Sequence, residues 1–176
     1  AKVLESAGAH VESKRPAALD DVLQMDDDLY RADGAASLRR LLTQSGTTEP
    51  GPDVIAALDR KPMTSGEMSA AMERWDSWRG RMLQFLEDFD AIVCPPCALV
   101  ELPHGASAPA DANANFSYTF AYNMTGWPAA VVRAGTSSQG RPIGIQIVGR
   151  PWREDVVLAL ARQIEQSLGG FQTPPI

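Results

Sequence analysis

Lysine and histidine are scarce in this chain: its 176 residues hold only Lys2, Lys14 and Lys61, with His10 and His104. The remaining 13 cations are arginine, which stays protonated and cannot serve as a base. Cysteine is limited to Cys94 and Cys97, too few for a disulfide framework in a domain of this size. No apolar run approaches the ~20 residues that span a bilayer. Ala1 to Gly8 lacks the basic-then-apolar order of a signal peptide. A basic stripe is also lacking: the net charge is -6, and the arginines alternate with acids. Nucleic acid and membrane are therefore not expected partners, and the cytoplasm is the expected compartment.

What is present is an apolar fraction of 44%, normal for a packed protein of one ordinary domain. Ala1 to Glu12 reads as the last turn of a helix, a stop at Gly8 and a short strand. A chain that opens on a final helical turn is expected to continue upstream. Pro16 can open the next helix, with Leu19, Val22, Leu23, Asp26 and Tyr30 along one stripe. Another helix is expected through Leu38, Leu41 and Leu42, and Asp53 is placed to cap a short helix to about Ala57. The clearest helix runs from Ser65 to Phe89, capped by Thr64 or Ser65. Its stripe reads Met68, Met72, Trp75, Met82, Leu86 and Phe89, with a gap near Trp78.

Ala91-Ile92-Val93-Cys94 is a short apolar run ended by Pro95-Pro96, the pattern of a strand buried on both faces. Ala98 to Ala114 reads as a long loop. Pro128 to Val132 and Ile143 to Val148 are two further strand signals joined by turn residues, and Glu154 to Leu168 closes the chain as a helix stopped by Gly169-Gly170. The sum is an α/β chain whose interior-type strands need neighbours on both sides.

Local motifs do not assemble a catalytic set. Cys94-Pro95-Pro96-Cys97 has the spacing of a redox pair, but the residues after it do not open a helix that would lower a thiol pKa. A buried, apolar Cys94 is the expected state. Zinc would need a second ligand pair, so no metal or cofactor is expected. Asp26-Asp27-Asp28 reads as a solvated helix face. Ser137-Ser138, followed by Gln139-Gly140, reads as a hairpin turn with no base beside it in sequence.

Longer patterns carry a resemblance. Tyr118-Thr119-Phe120-Ala121-Tyr122-Asn123-Met124-Thr125-Gly126-Trp127-Pro128-Ala129 is followed by a strand, and Gly140-Arg141-Pro142-Ile143-Gly144-Ile145-Gln146-Ile147-Val148-Gly149 comes next. Phe89 to Pro95 precedes them, the Asp155 to Ile164 helix comes after, and Leu4 to Glu12 forms a helix-turn-strand block upstream. In order and spacing these blocks resemble the C-terminal part of the amidase-signature family. They cover residues 1–15 and 88–168.

The resemblance implies the C-terminal part of an α/β/α sandwich around a mixed sheet. It implies hydrolysis of carboxylic amides through a Ser–cis-Ser–Lys set in an N-terminal half that this sequence does not include, so residues 1–176 are expected to be inactive alone. It implies an acyl-pocket lining drawn from Phe116, Tyr118, Thr119, Phe120, Tyr122, Asn123 and Thr125. Glutamine-acting amidotransferases of the family tend to carry an acidic residue near Phe116. The aromatic run here points to an apolar or aromatic acyl group instead. The expected partners are a small amide substrate and the N-terminal catalytic half, with a homodimer possible. Two other readings stay open: a truncated, self-associating module without catalysis, and a CxxC redox protein.

Overall fold

The computed structural model describes residues 1–103 and 115–173; His104 and most of the expected Ala98–Ala114 loop lie outside them. The chain gathers into two compact units, one of Ala1–Leu19 with Arg81–Ile176 and one of Asp20–Gly80.

The first unit is built on a three-stranded sheet in the order β1-β3-β2. Its strands are β1 (Ala91–Cys94), β2 (Ala129–Thr136) and β3 (Pro142–Gly149). Both pairings are antiparallel, with Val93 and Ala130 flanking Ile147, and Cys94 and Val131 flanking Gln146. Alternation along the strands then sorts the side chains onto two faces. Val93, Ala130, Val132, Ile145 and Ile147 share the face covered by α7 (Glu154–Ser167). Val157, Ala161 and Ile164 of α7 and Leu4 of α1 (Lys2–Ser6) complete that core. Cys94, Gln146 and Val148 lie on the other face.

β3 carries the fully buried Ile147 and Val148. β1 has one partner strand among the described residues and is half-buried throughout, so it is not the doubly covered interior strand that its apolar run suggests. The positive φ of Gly8 (93°) ends α1 as expected. Residues 9–12 form no strand, however. Arg150 fixes the entry to β1 by donating to the carbonyls of Phe89 (3.2 Å) and Glu87 (2.9 Å).

The second unit is helical, with α2 (Val22–Arg31), α3 (Ala36–Ser45) and α4 (Pro52–Leu58). A short 3-10 turn over Ala17–Asp21, rather than a helix from Pro16, precedes α2. Pro52 takes the first position of α4 with Gly51 as its cap, which leaves Asp53 in the first turn, where its charge suits the dipole. Asp28 departs from the expected solvated acidic face. It is buried and accepts hydrogen bonds from Arg74 (2.7 Å) and Gln24 (3.1 Å).

Helix α5 (Ser65–Phe85) begins in the second unit and ends in the first. Thr64 and Glu67 cap it reciprocally: Thr64 Oγ1 accepts from the Glu67 N–H at 3.2 Å, and Glu67 Oε2 accepts from the Thr64 N–H at 2.7 Å. The buried stripe is Ala71, Trp78, Met82 and Leu86. Met82 and Leu86 of the expected stripe are fully buried and Met68, Trp75 and Phe89 half-buried, whereas Met72 is 40% exposed and Trp78 fills the supposed gap. The helix stops at Phe85, and Phe89 stacks back on it with ring centroids 5.0 Å apart. Among the described residues no helix is long and apolar enough to cross a membrane.

Candidate functional site

The residues expected to line an acyl pocket fall on one helix, α6 (Ser117–Thr125), with Phe116 as its N-cap. Gly126 ends the helix in the left-handed region at φ 69°, and its N–H donates to the Tyr122 carbonyl. Helical geometry divides the aromatic run, because alternate residues point roughly 200° apart. Ala121, Tyr122, Met124 and Thr125 are buried. Phe116, Thr119, Phe120 and Asn123 have the i, i+3, i+4, i+7 spacing of a single stripe on the opposite side. Asn123 is exposed, and the other three are half-buried. Tyr118, four residues before Tyr122 on the same side of the helix, is nonetheless 39% exposed. The Thr119 hydroxyl donates to the Phe116 carbonyl at 2.9 Å, and that of Thr125 to the Tyr122 carbonyl at 3.0 Å.

A residue of the second family-like block, outside the expected pocket lining, ties this helix to the sheet. Gln146 is 4% exposed, and its Nε2 donates to the Tyr118 carbonyl at 3.2 Å and to Cys94 Sγ at 3.4 Å. It is the one polar side chain in the run Ile143 to Val148. That was the available signal, since a polar group in a buried strand costs free energy unless it is hydrogen-bonded. The Tyr122 hydroxyl also reaches Cys94. Burial pushes the Tyr122 phenol well above its ordinary value, and the neighbouring Cys94 adds to the shift. Burial likewise raises the Cys94 thiol, partly offset by hydrogen bonds from Gln146 and Tyr122.

That environment is the reverse of a redox cysteine's. Cys94 ends β1, both cysteines are free thiols, and no helix starts in the residues directly after them. No cluster of three potential metal ligands occurs among the described residues. Ser137 shapes the β2–β3 hairpin: its Oγ accepts from the N–H groups of Gln139 (3.3 Å) and Arg141 (3.1 Å). Lys14 lies 2.7 Å from Glu12 and over the Phe89 ring, away from that hairpin serine in sequence and in its contacts. An open cleft of about 260 Å³ between α1 and α7, lined by Lys2, Ser6, Gln163 and Ser167 among others, contains none of the α6 residues.

The amidase family model matches residues 1–158. The chain belongs to the amidase family. Among curated relatives, the A-type glutamyl-tRNA(Gln) amidotransferase subunit of Rhodopseudomonas palustris (strain TIE-1) is 42% identical over 67 residues, covering 38% of this chain and 14% of that protein. Solved amidase-family folds superpose on nearly all of the chain. 6-Aminohexanoate cyclic dimer hydrolase does so with a TM-score of 0.77 and 23% identity, over 95% of this chain and 39% of its own. A bacterial aryl acylamidase of the amidase-signature family gives 0.77 and 21%, over 94% and 38%. These identities establish the fold. The chain spans well under half the length of each of these relatives.

Within this amidase fold, the two family-like blocks meet physically. The first supplies α6 and the turn through Gly126 into β2, and the second supplies β3. Gln146 joins them at one end, and the Gly149 N–H donates to the Pro128 carbonyl at 3.0 Å at the other.

Proposed function

We propose that this chain supplies the C-terminal segment of an amidase that hydrolyses carboxylic amides, with the Ser–cis-Ser–Lys set in an N-terminal half outside these 176 residues. In that enzyme a serine attacks the amide carbonyl, backbone N–H groups hold the oxyanion, and water releases the acid from the acyl-enzyme. This segment completes the sheet and lines the acyl side of the pocket. The observation that supports the reading is the stripe Phe116, Thr119, Phe120 and Asn123 on a helix tied to the central strand, in a chain where Ser137 shapes a hairpin turn and Lys14 pairs with Glu12.

The lining favours an apolar or aromatic acyl group. Phe116 and Phe120 present hydrocarbon, and only Thr119 and Asn123 present polar atoms along the same stripe. A glutamine side chain would bury its amide against phenyl rings there, which is unfavourable without compensating hydrogen bonds. The curated relatives are named as amidotransferase subunits, so glutamine is the substrate to compare against. The complete enzyme, assayed with an aryl amide, an alkyl amide and glutamine, is expected to prefer the first two. A preference for glutamine would overturn the acyl-group reading, and no amide turnover at all would overturn the function.

A second reading is favoured by the exposed apolar surface of the first unit. Val131 is 55% exposed on β2, an outer strand among those described, and Leu158 on α7 is 63% exposed. Such an edge invites pairing, so the chain produced alone would self-associate without catalysis. Sizing by sedimentation distinguishes the cases: a monomer at micromolar concentration would rule this reading out.

A further inference from the structure

We propose that Gln146 is a positioning residue. Its amide fixes the rotation of α6 about its own axis, and with it the direction in which Phe116, Thr119, Phe120 and Asn123 face. The inference rests on the proposed reading of α6 as the acyl-pocket lining.

Three observations carry it. First, the polar side chain is 4% exposed in the middle of an otherwise apolar strand, so its hydrogen bonds are its only compensation for leaving water. Second, its Nε2 reaches across from β3 to the carbonyl of Tyr118, 3.2 Å away in the first turn of α6. A backbone carbonyl cannot swing as a side chain can, so a bond to it registers the helix itself. Third, the same nitrogen is anchored to the neighbouring strand through Cys94 Sγ at 3.4 Å, where Cys94 is its register partner.

On the buried side of α6 the Tyr122 hydroxyl also reaches Cys94, but that contact is made by a rotatable side chain, whereas Gln146 bonds the helix backbone itself. Phe116, the N-cap, makes no capping bond with its side chain, so the first turn is not locked locally. Without the Gln146 bond, the rotation of α6 on the sheet would depend on side-chain packing alone. A roll of one residue's spacing, roughly 100°, would replace Phe120 with Ala121 or Thr119 at the same point in space.

The test uses the complete enzyme with Gln146→Met, which keeps length and volume but removes the donor. Two readouts are taken together: backbone hydrogen exchange of residues 118–125, and kcat and KM for one bulky aryl amide and one small alkyl amide. Loss of one hydrogen bond is expected to speed exchange in α6 by roughly fivefold, while strands β2 and β3 remain unchanged. KM for the aryl amide is expected to rise by a similar factor with kcat nearly constant, so that the preference for the aryl over the alkyl substrate narrows.

Faster exchange without a change in substrate preference would reduce Gln146 to a stabilising contact and overturn the proposal. Unchanged exchange would overturn it as well. If the methionine variant does not fold, Gln146→Asn, which cannot span the gap, is read by the same two measurements; failure of both to fold would assign Gln146 to folding alone and overturn the positioning role. If the wild-type enzyme turns over no amide, the function reading fails by itself, and a thiol-labelling measurement still decides the tether. Cys94 is then expected to label roughly fivefold faster in the methionine variant, and an unchanged rate refutes the tether.

Discussion

A Cβ on Gly149 would sit 2.6 Å from Cγ2 of Val157, so the last residue of β3 is glycine because the first turns of α7 lie directly on it. Real Cβ atoms do not approach so closely. Gly149→Ala must therefore push α7 off the sheet, at a cost of about 1–3 kcal/mol. Urea denaturation measures it. Gly126→Ala is the contrasting case, since open space surrounds Gly126 but its φ is 69°. It is expected to cost about 1 kcal/mol through backbone strain alone, and Gly126→Asn less, because asparagine tolerates that region.

The pair of buried Asp28 and half-exposed Arg74 supports the second unit. Removing the guanidinium by Arg74→Met leaves a carboxylate at 6% exposure with only Gln24 to bond it. The loss is expected to be about 1–3 kcal/mol. It stays below the value for a fully buried ion pair because the Arg74 side chain is 51% exposed. Asp28→Asn should cost less than Arg74→Met, and thermal denaturation of the two variants checks the order.

This pair also shows where the sequence was legible and where it was not. Element identity came through wherever periodicity was strong: α2, α3, α5 and α7, the strands β1 to β3, and the hairpin at Ser137. The burial of single residues and their long-range pairing did not. Asp28 looked like one of three equivalent acids because only a residue 46 positions away, Arg74, distinguishes it. Trp78 belongs to the same stripe as Met82 and Leu86, four and eight residues on, while Met72 turns outward at 40% exposure. The seven residues of the expected lining were found together on one helix, but their alternating aromatics hid the helical period. Gln146 was visible as a polar residue in an apolar strand, yet its partner is a backbone carbonyl, which carries no sequence signal.

Alkaline pH should destabilise the first unit in two stages. Cys94 and Tyr122 both hold their protons more tightly folded than unfolded. Their contribution is therefore complete below the ordinary thiol value of ~8.5 and is lost as pH rises through the folded values. Melting temperature is expected to fall from about pH 8.5 upward. Cys94→Ala should delay the onset toward the ordinary phenol range near ~10. An unchanged onset in that variant would separate Cys94 from the effect.

The two sides of α6 should respond differently to mutation in the complete enzyme. Phe120→Ala removes a ring from the outward stripe and is expected to raise KM for aryl amides about tenfold, the effect of ~1.4 kcal/mol of lost contact, with little change in stability. Tyr122→Phe removes a buried hydroxyl from Cys94 and is expected to lower stability by about 1 kcal/mol with KM nearly unchanged. Steady-state kinetics and denaturation on the two variants give the comparison.

The most direct measurement of the central claim is amide hydrolysis by these 176 residues alone, beside the same residues joined to the N-terminal half. The chain alone is expected to turn over neither aryl nor alkyl amides, and the joined enzyme to turn over both. Hydrolysis that persists in the isolated chain through successive purification steps would contradict it.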